Sequence, residues 1–550
     1  MTEPTKSRHY DVIIMGGGLA GLTLSLQIKK RFADLSILVL ERRAHPVPVA
    51  AHKVGESSVE IGAHYFETVL GLKEHLQQDQ LKKFGFRFFF SDGRRDIDQV
   101  TELGASKVLP TYSYQIDRGI FENKLAQLAL DAGIEFIDQA MVRQITLNDD
   151  TPHAVSYDTG GQTHLAHCRW LIDASGRAGL IKRKLELAEP NEHNACAVWF
   201  RISNRIDIDE WSEDAGWLQR CTPPNRWLST NHLVGEGYWV WLIPLASGSH
   251  SVGIVADAAK HPLEGMNTFE KAMQWLEKHQ PRLFDHLQNE RGNVQDFAFF
   301  KRFSYGCKQV FSGQQRWALT GEAGLFLDPF YSPGSDFIAI SNTYITELIA
   351  HDRNQAPVAM YADFYQQVYQ SLYQTMLTLY VDQYALFGDP EVLPHKVAWD
   401  YTYYWGIMCP LFFQNRLVDI SAMARLNKPL MEAQALNVVM QRFLRAWSEV
   451  SAKRNPAQML DQTSLDWFAE LNRGLKDTLD DAGFALRMAD NFFLLQRLAD
   501  ELMARACSEH PGLANTDAGM TLRRTLDELP AATRRDFAGL PSMLFSDAAY

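Results

Sequence analysis

Cysteine is scarce in this chain, with six in 550 residues at Cys168, Cys196, Cys221, Cys307, Cys409 and Cys507, and no Cys-x-x-Cys pair. Such spacing assembles no zinc or iron–sulfur site and points to reduced, structural thiols, so no metal is expected. Positive charge is in deficit as well. A net charge of −12 sets the surface as a whole against phosphate backbones and anionic lipid, and nucleic acid is not expected as a partner. No run of about 18 apolar residues exists to span a bilayer. Met1 to Tyr10 lacks the apolar core and small-residue cleavage site of a secretory signal. These absences lead to the expectation of a cytoplasmic protein without a membrane role. What remains, with 46% hydrophobic and 22% charged residues, is the composition of a globular chain with core enough for two or more domains.

The N-terminal segment carries the clearest pattern. Tyr10 to Met15 is a largely apolar strand, Gly16-Gly17-Gly18-Leu19-Ala20-Gly21 follows, Leu19 to Arg31 has helical spacing, and Ser36 to Leu40 is a second apolar strand closed by Glu41. Strand, Gly-x-Gly-x-x-Gly, helix, strand and a terminal acid make the dinucleotide fingerprint. Gly16 serves the tight turn, Gly18 lets backbone N–H groups approach a pyrophosphate, and Gly21 permits close helix–strand packing. Glu41 is placed to accept from ribose hydroxyls. The motif alone does not separate FAD from NAD. Two later stretches favour a flavin. Arg118, just before a helical run, reads either as a flavin or pyrophosphate ligand or as a surface ion pair. Trp317 to Gly324 reads as an apolar strand ending in Gly321-Glu322-Ala323-Gly324, where an acid suits a ribityl hydroxyl and the following N–H groups suit a flavin ring.

A second focus is Trp239-Val240-Trp241-Leu242-Ile243-Pro244, an apolar run flanked by Gly235, Gly237 and Gly248. On a strand the two indoles share one face. They read either as a bulky core strand or as an aromatic wall.

Taken in chain order, the glycine motif, Val54-Gly55-Glu56-Ser57-Ser58, Asp173-Ala174-Ser175-Gly176-Arg177 and Gly321 to Gly324 resemble the flavin-dependent halogenases, relatives of the FAD aromatic hydroxylases. The likeness covers residues 10 to 345. It is sharpened by a Trp-x-Trp-x-Ile-Pro signature met by Trp239, Trp241, Ile243 and Pro244, and by a Phe-x-x-Pro-x-x-Ser-x-Gly pattern met by Phe326, Pro329, Ser332 and Gly334.

The resemblance implies that FADH2, delivered by a separate flavin reductase, oxygen and a chloride or bromide ion yield hypohalous acid, which halogenates an electron-rich aromatic in natural-product biosynthesis. It implies Lys83 as the handler of the oxidant, with Lys82 beside it as the alternative, and Trp239 and Trp241 as a screen keeping organic molecules from the flavin. It adds Ala20 and Val142 to Gly16, Gly18, Gly21, Glu41, Arg118 and Glu322 as FAD-binding residues. Two departures matter. Pro333, which has no N–H, stands where the family uses a backbone donor for the halide, leaving Gly334 and Ser335 as donors after a one-residue shift. Tyr331 stands where tryptophan halogenases carry a glutamate, which turns the expectation to the phenol and pyrrole branch, some of whose substrates are tethered to a carrier protein. An FAD-dependent aromatic monooxygenase, hydroxylating or epoxidising, is the alternative that Pro333 favours. A flavin-binding protein without turnover is a third.

The expected fold is an α/β FAD-binding domain of the glutathione-reductase-like Rossmann kind, interrupted by a mostly antiparallel substrate sheet at about 85–115 and 195–305. An all-helical C-terminal region completes it. The domain boundary is expected at residue 345, with 346–550 as the helical domain. Helices are expected over Ala362 to Phe387, 415–453, 464–482 and 485–508. The cluster Tyr401 to Trp405 reads either as the lining of an acceptor pocket or as packing against the FAD domain.

Overall fold

The computed structural model describes residues 8–49, 55–529 and 542–545; Val54 of the Gly-Glu-Ser segment lies outside them. The chain forms two units. One takes Met1–Gln80, Ile116–Glu192 and Phe303–Tyr373; the other takes Leu81–Gln115, His193–Arg302 and Gln374–Tyr550.

In the first unit, apolar strands that need cover on both faces build a parallel sheet in the order Trp317–Leu319, Gln162–Asp173, Arg8–Met15, Ile37–Leu40, Glu135–Ile137. Val12, Ile13, Ile14, Leu38 and Val39 are fully buried in it. An antiparallel hairpin, Met141–Thr146 with His153–Thr159, continues from the long strand Gln162–Asp173. The helix Leu19–Arg31 begins at Gly18 and ends in Lys29, Lys30 and Arg31, cations suited to a helix C-terminus. A Cβ on Gly16, whose φ is +123°, would stand 2.2 Å from the Ala174 carbonyl oxygen, and one on Gly21 would stand 1.9 Å from that of Gly16. Glycine is therefore required where the strands Arg8–Met15 and Gln162–Asp173 and the helix Leu19–Arg31 converge.

The second unit is organised on a sheet of eight strands: Val294–Lys301, Ala195–Ile202, His250–Asp257, Tyr238–Pro244, Thr230–Gly235, Phe86–Phe89, Glu102–Gly104 and Met459–Asp461. Pairing is antiparallel except for Thr230–Gly235 on Phe86–Phe89 and Met459–Asp461 on Glu102–Gly104. Period-two alternation sorts the faces. Tyr238, Val240, Leu242, Val252 and Ile254 join a core closed by the helices Phe269–His279 and Pro281–Gln288 through Met273, Leu276, Leu283 and Leu287. Trp239 and Trp241 alternate with them and point to the other face.

The expected fold class is what the structure shows, with one amendment. The C-terminal region is largely rather than wholly helical, because Met459–Asp461 adds an edge strand; three residues in a polar stretch carry no readable alternation. Its helices also differ in extent. The helix expected over Ala362 to Phe387 runs Val358–Leu377 and gives way to turns and one 3₁₀ turn at Tyr384–Leu386. That expected over 464–482 is only Asp466–Arg473, ending at Gly474. Ile420–Val450 and Asp481–Glu509 are long, each started by an aspartate, Asp419 or Asp480, whose carboxylate accepts first-turn N–H groups. Among the described residues, no helix is long and apolar enough to cross a membrane.

Candidate functional site

The carboxyl ends of the first unit's parallel strands gather most of the expected cofactor residues. Glu41 follows Ile37–Leu40, and its carboxylate accepts from the Gly17 N–H at 2.7 Å and the Arg43 N–H at 2.8 Å. This fixes the acid beside the glycine loop. No atom lies within 4 Å of where a Gly18 Cβ would stand, so open space adjoins the helix start, where orphan N–H groups and the helix dipole favour a phosphate. Gly321, at φ +59°, brings the loop after Trp317–Leu319 to within 3.0 Å of the Ala20 methyl, measured from its would-be Cβ. These residues fit a dinucleotide: a glycine cradle, an anchored acid and a second glycine loop against the first helix.

Other expected residues are placed as follows. Arg118 starts the helix Arg118–Asp131, is mostly buried, and pairs with Glu122 four residues on at 2.6 Å while its Nη1 lies 3.5 Å from the Gly55 carbonyl. Glu322 pairs with Arg177 at 2.8 Å. Val142 lies on the flanking hairpin, opposite Tyr157. Pro333 immediately precedes the helix Gly334–Arg353, so Gly334 and Ser335 contribute its first two amides, donors with no carbonyl one turn back to receive them. The preceding Tyr331 and Ser332 hold φ of +66° and +53°, a strained pair of left-handed residues that turns the chain into the helix. Ser335 rests on Gly62, where a Cβ would meet its Oγ at 2.3 Å.

The second unit holds the lysine and the tryptophans. Lys83 and Lys82 are adjacent in sequence and opposite in environment. Lys82 is exposed, its Nζ over the Tyr112 ring at 3.8 Å, whereas Lys83 is 2% exposed with its Nζ 3.4 Å from the centre of the Phe86 ring. The turn that buries Lys83 is anchored on both sides: its N–H donates to Ser113, the Phe84 N–H to Leu228, and the Ser229 hydroxyl to the Phe84 carbonyl. In the same unit Arg87 and Arg226 share the carboxylate of Glu102, and Arg226 also pairs with Asp209 at 2.9 Å, all four buried.

Trp239 and Trp241 stand side by side, ring centres 5.7 Å apart. Each indole N–H is bonded, Trp239 to the Tyr384 hydroxyl at 3.0 Å and Trp241 to the Ser251 hydroxyl at 3.1 Å. The Trp241 ring lies across Gly253, where a Cβ would be 2.1 Å from it. His232 bridges lysine and wall. It stacks on Phe88 at 4.6 Å, meets the edge of Phe86 at 5.3 Å and lies 5.4 Å from Trp239. Its Nδ1 faces the Arg87 carbonyl at 3.2 Å and must donate there. Burial, with the Arg87 bond acting the other way and Lys83 adding to it, lowers the His232 pKa to about 3, so the ring is neutral. The expected aromatic cluster also meets Phe86, with Tyr401 at 6.2 Å and Trp405 and Phe468 packed on Tyr401.

Sequence reasoning missed His232, Ser251, Gly253 and Tyr384. Only Gly253 left a signal, since an isolated glycine inside a strand marks a close approach. The others act through pairing register and tertiary proximity.

Residues 9–260 match the FAD binding domain family. Flavin-dependent halogenase chlA of Dictyostelium discoideum is 26% identical over 443 residues, 74% of this chain and 71% of the relative. The 1H-pyrrole-2-carbonyl peptidyl-carrier-protein brominase of Pseudoalteromonas luteoviolacea is 25% identical over 60% of this chain and 74% of its own. Among solved structures, halogenase PltM matches with a TM-score of 0.60 at 18% identity, covering 89% of this chain and 96% of that one. CmlS, a flavin-dependent halogenase, matches at 0.55 and 20%, covering 90% and 73%. At such identities the two structures speak for the fold. With the two signatures and the FAD-binding match added to it, the chain is an FAD-binding protein similar to the flavin-dependent halogenases.

Proposed function

We propose that the protein halogenates an electron-rich aromatic, phenol- or pyrrole-like, using FADH2, oxygen and chloride or bromide. When bound in reduced form, FAD supplies the two electrons of FADH2 + O2 + X⁻ + H⁺ → FAD + HOX + H2O. The substrate then exchanges a ring hydrogen for the halogen, ArH + HOX → ArX + H2O. A separate flavin reductase provides the reduced cofactor. Gly16, Gly18, Ala20, Gly21, Glu41, Arg118, Val142 and Glu322 hold FAD. The first amides of the helix Gly334–Arg353 receive the halide, an anion at a helix N-terminus.

The observation that carries the reading is the burial of Lys83 against Phe86. Taking an ammonium out of water is costly, and the Phe86 ring face under Lys83 offsets part of that cost. The burial of Lys83 beside the Phe86 ring keeps bulk water from competing for hypohalous acid. Trp239 and Trp241, locked by Tyr384, Ser251 and the space over Gly253, form a rigid aromatic surface on the same side of the sheet as His232 and serve as the screen. Tyr331 in place of a glutamate supports a substrate activated by its own hydroxyl or ring nitrogen. The relative acting on a carrier-bound pyrrole supports a tethered substrate of that kind. The test is Lys83→Ala beside Lys82→Ala. The first abolishes halogenated product and keeps FAD affinity within about twofold; the second keeps turnover. Product formation undiminished in Lys83→Ala sinks the assignment.

Pro333 favours a second reading, an FAD-dependent aromatic monooxygenase, because it removes one amide from the halide segment. Under that reading an oxygenated product forms whether or not halide is supplied.

A further inference from the structure

The loop Gly321–Gly324 is held by three side chains of its own unit that the proposed chemistry does not use. The Tyr305 hydroxyl donates to the Glu322 carbonyl at 2.7 Å, the Lys182 ammonium donates to the Gly324 carbonyl at 3.0 Å, and Arg177 pairs with the Glu322 carboxylate at 2.8 Å. Lys182 comes from the short helix Leu180–Lys184, is 7% exposed, and stands 4.1 Å over the Tyr305 ring. In a trans peptide the C=O and the next N–H point in opposite directions. Binding the carbonyls of residues 322 and 324 from the Tyr305–Lys182 side therefore directs the amides of Ala323 and Leu325 the other way. A cation on the Gly324 carbonyl also polarises the Leu325 N–H, since hydrogen bonds in series strengthen one another.

The charges around Lys182 leave it this role. Arg177 and Glu322 offset each other. The Asp173 carboxylate accepts from the Ser175 and Ile181 N–H groups and the Ser175 hydroxyl, and burial holds the Cys307 thiol protonated by raising its pKa. We propose that Lys182 is a positioning residue that sets the preference of this loop for the reduced cofactor. It aims and polarises the Leu325 amide, which stabilises the anionic reduced flavin more than the neutral oxidised one; the Ala323 amide beside it is fully buried. The inference rests on the reading that loop 321–324 receives the flavin.

The test measures, on the full chain, the Kd of oxidised FAD and, anaerobically, of reduced FAD, together with the midpoint potential of the bound cofactor. Lys182→Met raises the reduced-FAD Kd about tenfold and leaves the oxidised Kd within about twofold, equivalent to a midpoint about 30 mV more negative for a two-electron couple. Lys182→Arg, which keeps the charge, restores the ratio. Tyr305→Phe, which removes a neutral donor, moves both Kd values together. Equal shifts in both states for Lys182→Met, or none, overturn the proposal, and thermal melting separates such a result from misfolding. Gly321→Val strains the loop itself. If it leaves both Kd values unchanged, the loop does not hold the flavin and the underlying reading fails with the proposal; if it weakens both while Lys182→Met leaves the ratio intact, the proposal alone fails.

Discussion

Gly253→Ala probes the tryptophan wall from beneath. The added Cβ would lie 2.1, 2.3 and 2.4 Å from three atoms of the Trp241 ring, against ordinary carbon contacts of about 3.5–4.0 Å. The indole must retreat by more than an ångström. Because its N–H bond to Ser251 is already 3.1 Å long, that retreat breaks it. Overpacking costs about 1–3 kcal/mol and the lost hydrogen bond about 0.5–1.5 kcal/mol, while replacing glycine in a strand returns about 0.5–1 kcal/mol. The net is a destabilisation of about 0.5–4 kcal/mol, read as a lower urea midpoint at unchanged slope. The fingerprint glycines belong to the other unit, so FAD affinity stays within about twofold. Displacing the wall lowers the halogenated product per FADH2 consumed about tenfold. A variant with wild-type stability and wild-type yield refutes the reasoning, because Trp241 would then not be pinned over Gly253.

Gly334→Pro removes another amide from the start of its helix, and because Pro333 holds helical backbone that a following proline disfavours, the urea midpoint falls with it. The halide KM rises about ten- to hundredfold, the worth of one hydrogen bond to a charged group, with FAD affinity unchanged; a constant halide KM places the halide elsewhere. His232, His250 and His395 each have the pKa lowered to about 3 by burial. Below about pH 6.5 the unfolded chain takes up protons that the folded chain refuses. Stability is whole above that pH and falls as pH drops toward 3, by about 1.4 kcal/mol per pH unit for each histidine. Urea unfolding at pH 7 and pH 5 reads this, and equal midpoints contradict it.

How much was legible in the sequence follows the range of the interactions. The parallel sheet and its first helix were readable because their signals are local: apolar runs, three glycines at fixed spacing and a closing acid. The alternation of Trp239 and Trp241 with Val240 and Leu242 was readable for the same reason. What surrounds them was not. Tyr384 reaches Trp239 across 145 positions and Ser251 reaches Trp241 through strand register. Lys82 and Lys83 are the sharpest case, identical residues whose fates depend on which side of one turn faces Phe86. Arg118 was open between ligand and surface ion pair, and the structure pairs it with Glu122 four residues on, with both side chains largely buried rather than at the surface. Met459–Asp461 escaped notice because a three-residue edge strand borrows its structure from its neighbour.

The most direct measurement is the mass of the product formed from an electron-rich phenol or pyrrole, with a reductase supplying FADH2, in the presence and absence of bromide. The account predicts a product bearing the bromine isotope pair when bromide is present, and no oxidised product without halide. A product carrying one added oxygen, formed equally with and without bromide, would contradict it.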